Sequence, residues 1–302
     1  MQKCDRGDWV YMNDLGKKVA YFRKSKGFTV KELAYNLCDE STLYRLEQGK
    51  QIPRLEILND ICLKLEIPFK ALFPLNEEVD KLKNLCREST YLEDYLTLEI
   101  ALDECNKFLD KIGSIYVKEE FRRFIQWHRA ILLQKRDNRP LGALDILKTL
   151  ANINSCGSEL DISILNSIGL IHLSLNNNAA AYRVYFVINN QIINHKVVED
   201  LTILPRVGYN YAHTLYKLGD FHEALKIITE VLYYLEKHQL MYSLGKTYHM
   251  KGFLSKRCGY TKEAIEEFQN AILVFTLTKE NNNLLRAKKD LKDIMEENAL
   301  LP

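Results

Sequence analysis

The C-terminal part of the chain repeats itself, and this repetition limits the possible folds more than any other feature of the sequence. Residues 211–231 and 251–271 carry the same landmarks 40 positions apart. In each copy a small residue is followed by a glycine seven positions later, by an alanine five positions after that, and then by apolar residues. A similar copy surrounds Gly169 and Ala181, and two weaker copies precede it. Repetition at such a period predicts stacked supersecondary units that bury their apolar faces against one another.

Each copy fits two helices joined by a tight turn. A small residue on the first helix lets the second helix pack closely, and a second small residue lies at the closest crossing. The first set is Gly169, Ala212 and Gly252, and the second is Ala181, Ala224 and Ala264. The pattern resembles the tetratricopeptide repeat with a somewhat longer unit, which implies a right-handed α-solenoid, and a generic helical bundle is the alternative. Because the chain has only 13 glycines and 6 prolines, we predict an all-α fold throughout.

The sequence divides into four segments. We predict an N-terminal extension (1–13), a DNA-binding domain (14–75), five degenerate tetratricopeptide-like repeats (76–280) and a C-terminal capping helix (281–302). Asp14 should cap the first helix of the DNA-binding domain, and the first repeat should begin at Asn76. The last segment has an apolar stripe, which predicts packing on the final repeat or, alternatively, a dimer seam. The stripe consists of Leu284, Leu285, Leu291 and Ile294.

Residues 27–53 have the pattern of a helix-turn-helix. Thr29 and Glu32 have the spacing of a capping box, which predicts a helix starting directly after Thr29. Asp39 can cap a second short helix, and Gly49 can end it. In such a unit the second helix enters the DNA major groove. A three-helix corner with a solvated polar face is the alternative. The flanking core positions are Leu15, Val19, Phe22, Leu55, Leu58, Ile61, Cys62 and Leu65.

The polar residues of this unit predict the contacts with DNA. Arg45 can donate two hydrogen bonds to guanine, Glu40 can accept one from cytosine, and hydroxyl groups can bind base edges or phosphates. The residues predicted to contact DNA are Thr29, Glu40, Ser41, Thr42, Tyr44, Arg45 and Lys50.

Two motifs in this region resemble the XRE or lambda-repressor-type DNA-binding domain. They are Thr-x-x-Glu-Leu-Ala at 29–34 and Leu-x-x-Leu-Glu-x-Gly-Lys at 43–50. The resemblance implies a buried ion pair between Arg23 and Glu47, which joins the first and third helices. The sequence departs from the family at three positions. Val30 replaces the Gln that contacts a phosphate, Cys38 replaces the Gly of the turn, and Arg54 replaces the Ser or Thr that caps the fourth helix.

The charge and the cysteines of the sequence predict how the protein binds DNA and in which compartment it works. Residues 1–75 carry 13 basic and 10 acidic side chains, a modest excess for a DNA-binding domain, so we expect affinity to depend on a dimer. The seven cysteines are scattered without a Cys-x-x-Cys pair, which predicts a reducing cytoplasm and no zinc site. Cys156, in a predicted loop, is the candidate for a reactive thiol.

The sequence shows no signal peptide or membrane-length apolar run, and no enzyme motif or cofactor site.

The first helix of each repeat should line the concave face of the solenoid, where extended peptides bind. Asn166 and Asn210 lie on neighbouring first helices, and a side-chain amide both donates to and accepts from a peptide backbone. The alternative is that these polar positions are simply solvated. The remaining candidates on this face are His128, Tyr209, His213, Tyr216, Lys246, His249 and Lys256.

The combination of both domains resembles the RRNPP family of peptide-pheromone-responsive regulators in Gram-positive bacteria, and within it the PlcR group. Residues 121–127 (Phe-Arg-Arg-Phe-Ile-Gln-Trp) and the two asparagines add to the likeness. The resemblance implies that Asn166 and Asn210 hold the backbone of a signalling peptide and that Arg87 also contacts it. Lys246 stands where the group has Gln, and Leu284 where it has an aromatic residue, which implies a related but different peptide.

We therefore expect a cytoplasmic quorum-sensing transcription regulator, an activator. Its expected partners are a pseudo-palindromic operator in double-stranded DNA, a short signalling peptide and a second copy of the chain, with no membrane association. Peptide binding should shift the population toward the spacing of two DNA-binding domains that fits the operator. The alternative is an adaptor whose solenoid binds a protein partner and whose helix-turn-helix no longer binds DNA.

Overall fold

The computed structural model describes residues 6–67, 69–72, 74–112, 115–152, 158–194 and 200–299. The chain forms two compact units, one ending at Leu132 and the other beginning at Leu133. All regular elements in the described segments are helical, as predicted. None of the helices in these segments is both long enough and apolar enough to span a bilayer. Cys156, the predicted reactive thiol, lies outside the described residues.

The first unit begins with four helices and a 3₁₀ turn at Phe69–Leu72. The helices are α1 (Arg6–Ser25), α2 (Val30–Ala34), α3 (Glu40–Glu47) and α4 (Leu55–Leu65). Helix α1 starts at Arg6, so Asp14 lies within the helix, and its predicted role as the cap is wrong. Helix α1 therefore includes residues 6–13, which we had assigned to an extension without clear helical periodicity.

The core of these four helices contains nearly all the predicted apolar positions. Its fully buried members are Leu15, Val19, Leu33, Ala34, Leu43, Leu46, Leu58, Ile61, Cys62, Leu65 and Leu72. Leu55 was predicted wrongly to belong to this core, because it occupies the first turn of α4 and is exposed. Gly16 lets α1 approach α3 closely, since a Cβ atom at this position would lie 2.1 Å from the carbonyl oxygen of Leu46.

The other described residues form further helices, several of which pair with the next helix as hairpins. The first unit continues with α5 (Pro74–Tyr91) and α6 (Tyr95–Leu109), and α7 (Ile115–Lys135) leads into the second unit. Helix α5 starts two residues before the predicted Asn76, because proline suits the first turn of a helix. The second unit contains α8 (Pro140–Leu150), α9 (Glu159–Ser174), α10 (Asn178–Asn194), α11 (Ile203–Leu218), α12 (Phe221–Lys237), α13 (Leu244–Arg257), α14 (Thr261–Leu277) and α15 (Asn281–Ala299).

The predicted small residues sit where the paired helices touch. A Cβ atom at Gly169 would lie 2.5 Å from the ring of Tyr185, and one at Gly252 would lie 2.9 Å from the ring of Phe268. Ala181, Ala224 and Ala264 are fully buried. The hairpins therefore depend on small residues at these crossings.

Helix α15 covers the end of the last hairpin. Its apolar side packs on α13 and α14, where Ala287 and Ile294 join the buried cluster around Phe268 and Phe275. Leu285, which we had placed in the same stripe, is exposed. Within the second unit α15 therefore acts as a cap.

Candidate DNA-binding and peptide-binding surfaces

Local sequence fixes the start of α2 and sets the N-cap position of α3. The hydroxyl of Thr29 accepts a hydrogen bond from the amide of Glu32, and the Glu32 carboxylate accepts one from the amide of Thr29, so the predicted capping box is present. These bonds lower the pKa of the Glu32 carboxyl. Asp39 occupies the N-cap position of α3 as predicted, but its side chain makes no capping hydrogen bond.

Helix α3 ends at a left-handed glycine. Gly49 has φ of +65° and donates its amide to the Leu46 carbonyl at 2.8 Å, while Lys50 donates to the Arg45 carbonyl at 2.8 Å. This pair of bonds is a Schellman motif, which satisfies carbonyl groups that the helix end leaves open. A side chain at position 49 would be strained in this conformation, so the sequence fixes the direction in which the chain leaves α3.

An ion pair ties α3 to α1, as the family resemblance implied. The guanidinium of Arg23 donates to both carboxylate oxygens of Glu47, at 2.6 and 2.8 Å, and also to the Phe28 carbonyl at 2.9 Å. Both side chains are about nine-tenths buried. The bonds to Glu47 raise the pKa of Arg23, which keeps the guanidinium charged. The geometry is bidentate, and such pairs give orientation as well as energy.

One face of α3 remains accessible and polar. Leu43 and Leu46 point into the core, whereas Glu40, Ser41, Tyr44 and Arg45 are exposed and Thr42 is half-buried. Thr29 and Lys50 are also exposed, although the Thr29 hydroxyl already serves the capping box. The seven predicted contact residues are thus on the surface, and the ion pair and the cap hold the element that carries most of them.

In the second unit, the two predicted asparagines meet each other. The Nδ2 atom of Asn210 on α11 donates to the Oδ1 atom of Asn166 on α9 at 2.9 Å. Asn166 is only 4% exposed, whereas Asn210 is half-buried. The bond leaves the amide nitrogen of Asn166 and the carbonyl oxygen of Asn210 as a donor and an acceptor on one linked pair. The pairing of these two residues with each other was not predicted.

Helix α9 is unusually enclosed. Residues 161–169 are all buried, and α9 packs against α8, α10 and α11. The hydroxyl of Tyr185 on α10 donates to the backbone carbonyl of Asn166 at 3.2 Å, so the ring that fills the space at Gly169 also contacts the residue bearing the amide. Burial raises the pKa of Tyr185, which keeps this hydroxyl protonated as a donor.

The other candidates on α11 border the asparagine pair. Tyr209 and His213 are half-buried, and burial raises the pKa of Tyr209 and lowers the pKa of His213. Arg286 on α15 is close enough to oppose the shift at Tyr209. The rings of His213 and Tyr216 are nearly parallel, with centroids 6.4 Å apart. The side chains beside the asparagine pair on α11 are therefore aromatic, with the positive charge of Arg286 close to one of them.

Helix α13 presents histidine and lysine side chains, and two of them contact acidic residues of the capping helix. The Nε2 atom of His249 lies 2.7 Å from an Asp290 carboxylate oxygen, and Lys256 contacts Glu297 at 2.8 Å. Each acid lies 41 residues after its partner, which is one repeat further along the chain. Lys246 is exposed. We had not predicted the two acidic partners, although their one-repeat spacing was visible in the sequence.

The two candidates in the first unit differ in accessibility. Arg87 on α5 is exposed and lies over the ring of Phe124, 5.6 Å from its centroid. His128 is 1% exposed, its Nδ1 atom is 3.0 Å from the Phe124 carbonyl oxygen, and it packs against the rings of Phe124 and Trp127. Burial lowers the pKa of His128 to about 4. The prediction of His128 as a surface contact is therefore wrong, because the aromatic cluster encloses it.

Sequence comparison with a family model identifies most of the chain. The C-terminal domain of the RNPP family matches residues 79–290. This range includes the asparagine pair and every helix from α6 to α14. A search of curated proteins gave no match.

Solved structures share the fold. PlcR from Bacillus thuringiensis, in complex with the peptide PapR7 and DNA, has a TM-score of 0.77 at 21% identity, covering 92% of this chain and 99% of that chain. The SHP pheromone receptor Rgg2 from Streptococcus dysgalactiae has a TM-score of 0.61 at 14% identity, with 92% and 99% covered. ComR from S. thermophilus, in complex with DNA and its signalling peptide ComS, has a TM-score of 0.58 at 15% identity, with 93% and 99% covered.

These likenesses establish an all-α fold with a tetratricopeptide-like solenoid. Because the matching family domain spans more than half of the sequence, the chain belongs to the RNPP family.

Proposed function

We propose that this protein is a DNA-binding transcription regulator controlled by a short signalling peptide. The solved relatives named above include regulators in complex with both DNA and a peptide, which supports both partners. The observation that carries the peptide half of the proposal is the bond between Asn166 and Asn210. It links two neighbouring first helices and leaves one donor and one acceptor side by side on the bonded pair.

The asparagine pair has the hydrogen-bonding capacity to recognise a peptide backbone. A peptide unit presents one N–H group and one carbonyl group, which match the remaining acceptor of Asn210 and the remaining donor of Asn166. Asn210 is the more exposed of the two, so an incoming peptide meets it first. The neighbouring Tyr209 and His213 supply apolar ring surface, and Lys246 supplies a positive charge for an acidic group of the ligand.

Arg87 stays a separate prediction from the family resemblance, and it is an exposed positive charge on α5 in the first unit. His128 does not contact the ligand in this proposal but supports the aromatic ring over which Arg87 lies. His249 contributes through its bond to Asp290, which holds α13 and α15 together.

On the DNA side, the exposed face of α3 is the element that fits the major groove. Arg45 and Glu40 read base edges, and Ser41, Thr42 and Tyr44 contact edges or phosphates. A dimer with two such helices requires half-sites about 34 Å apart, so the operator is expected to be a pseudo-palindrome. Peptide binding changes the population of dimers with that spacing, and we expect the result to be activation.

The test is selection of operator DNA with and without peptide. Purified full-length protein is incubated with fragmented genomic DNA, in parallel with and without a pool of synthetic peptides derived from short secreted open reading frames of the same genome. Bound fragments are then sequenced. We expect a pseudo-palindromic motif whose recovery depends on one peptide, and Arg45→Ala should lose the motif at the same salt concentration.

The peptide site is tested separately by calorimetry. The double variant Asn166→Ala/Asn210→Ala should abolish binding of the selected peptide, whereas Lys226→Ala, which alters an exposed lysine paired with Glu223 on α12, should retain it. Unchanged affinity in the double variant would exclude this site. Failure to recover any DNA motif under all conditions would instead favour the adaptor alternative.

A further inference from the structure

Two buried thiols face each other in the first repeat. Cys86 on α5 and Cys105 on α6 are both 0% exposed, and their Sγ atoms are 3.9 Å apart. Both side chains carry free thiols. A disulfide bond has an S–S length of about 2 Å, so the two sulfur atoms need to approach each other by roughly 2 Å.

The hairpin turn sets the register that brings these thiols together. Helices α5 and α6 are joined by only three residues, 92–94. Asp94 caps α6 by accepting hydrogen bonds from the Thr97 amide at 3.1 Å and from the Thr97 hydroxyl at 2.6 Å. Because the cap fixes the first turn of α6, the facing positions of the two helices are fixed as well.

The two sulfur atoms differ in their electrostatic surroundings. The hydrogen bond from the Cys105 thiol and the positive charge of Arg87 lower the pKa of Cys86, although burial opposes them. The same bond and burial raise the pKa of Cys105. A thiolate is the reactive form of cysteine, so Cys86 is the nucleophile and Cys105 is the partner that remains protonated.

The other described cysteines lack this arrangement. Burial raises the pKa of Cys38, Cys62 and Cys258, and this effect disfavours their thiolate forms. These three cysteines of the same chain therefore serve as controls that show whether a thiol reaction is selective for Cys86 and Cys105.

We propose that Cys86 and Cys105 form a hydroperoxide-reactive dithiol that closes to an intramolecular disulfide. The Cys86 thiolate attacks one oxygen of the hydroperoxide, the O–O bond breaks, and Cys86 becomes a sulfenic acid. The sulfur of Cys105 then attacks the Cys86 sulfur and the S–O bond breaks. With hydrogen peroxide, two thiols and one peroxide give one disulfide and two molecules of water, so the two thiols supply both electrons and both protons.

Because both thiols are buried, the reaction requires a transient opening of the α5–α6 hairpin. A small uncharged oxidant such as hydrogen peroxide reaches the site during such openings. The disulfide then closes a short loop, since the two residues are 19 positions apart. It is expected to suppress further opening and to slow amide hydrogen exchange in α5 and α6 by about tenfold or more.

The experiment uses the reduced full-length protein treated with hydrogen peroxide. Remaining thiols are alkylated, and the protein is digested with trypsin without reduction. Cleavage after Lys83, Arg87 and Lys107 yields peptide 84–87, containing Cys86, and peptide 88–107, containing Cys105. We expect these two peptides to be recovered as the main linked pair, two hydrogens lighter than their sum and separable by dithiothreitol.

Matched variants locate the reaction. In Cys105→Ser the link should disappear and a dimedone-reactive sulfenic acid should remain at Cys86, whereas Cys62→Ser should leave the link unchanged. The proposal would be overturned if the folded wild-type protein gave no 84–87/88–107 link under peroxide that oxidises Cys38. It would also be overturned if Cys86 were recovered mainly in links to other cysteines. Both readouts come from the wild-type protein, so they stand even where a variant fails to fold.

Discussion

Two regions of the chain use polar residues in opposite ways. One is the pair of short helices α2 and α3, and the other is the set of first repeat helices α9, α11 and α13. On α3 the polar residues face outward, while an ion pair to α1 holds the helix from behind and the Gly49 turn closes its C-terminal end. On α9, α11 and α13 several of the candidate contact residues are themselves engaged, with one another or with α15. Under the proposed function, the first surface could bind DNA without breaking the bonds behind it, whereas a peptide at the second surface would have to compete with or extend existing bonds.

The largest expected effect tests the support behind α3. Glu47→Ala leaves the Arg23 guanidinium nine-tenths buried without its partner, and removing one member of such a pair costs about 3 kcal/mol or more of unfolding free energy. Urea denaturation of the full chain measures this loss. Replacing both residues with apolar ones, as in Arg23→Met/Glu47→Leu, should recover most of it. If Glu47→Ala were neutral, the pair would not hold α3 in place.

The next effect tests whether His128 is a core residue. Its folded pKa of about 4 lies below the unfolded value of about 6.5, so the unfolded chain binds a proton first as the pH falls. The stabilisation is complete above about pH 6.5 and is lost as the pH falls toward 4, by up to roughly 3 kcal/mol. His128→Phe should show a smaller loss over this range in urea titrations at several pH values. An identical pH profile in the variant would contradict the burial.

A third prediction tests the exposed surface of α3. Arg45→Ala should weaken operator binding by about 2 kcal/mol at matched salt, because a bidentate contact to guanine has about this value. Since Arg45 is exposed, the urea midpoint should remain unchanged. Fluorescence anisotropy on the selected operator measures the first quantity, and the control Arg54→Ala should have a smaller effect on sequence preference. Equal affinities for wild type and Arg45→Ala would remove Arg45 from the interface.

The smallest effect tests the asparagine pair in the absence of ligand. Asn210→Ala leaves the buried Oδ1 atom of Asn166 without its partner and should cost about 1 kcal/mol. Adding Asn166→Ala should recover part of this loss, because the unpaired group is then removed. A double-mutant cycle by urea denaturation separates the two contributions. Strictly additive losses would mean that the bond contributes nothing to stability.

Much of the fold was predictable from the sequence because its signals are local or periodic. The capping box at Thr29, the glycine at position 49 and the small residues at Gly169 and Gly252 each identify a feature within one or two turns of helix. The start of α1 was missed because residues 6–13 lack a clear apolar period, and Leu55 was misplaced because a residue at the first turn of a helix can face solvent.

The candidate peptide site was only partly predictable. Asn166 and Asn210 were identified as candidates from the repeat pattern. The bond between their side chains was not predicted, because that contact depends on how α9 and α11 pack. The aromatic enclosure of His128 depends in the same way on packing, here around Phe124 and Trp127. Partners one repeat apart, such as His249 and Asp290, have no local signature, and only the register of the stacked helices brings them together.

Tyr185 performs two tasks with one side chain. Its ring occupies the space that Gly169 leaves open, and its hydroxyl holds the backbone at Asn166. If the asparagine pair binds a peptide as proposed, substitutions at 169 or 185 would therefore weaken the response to that peptide, although the ring is fully buried.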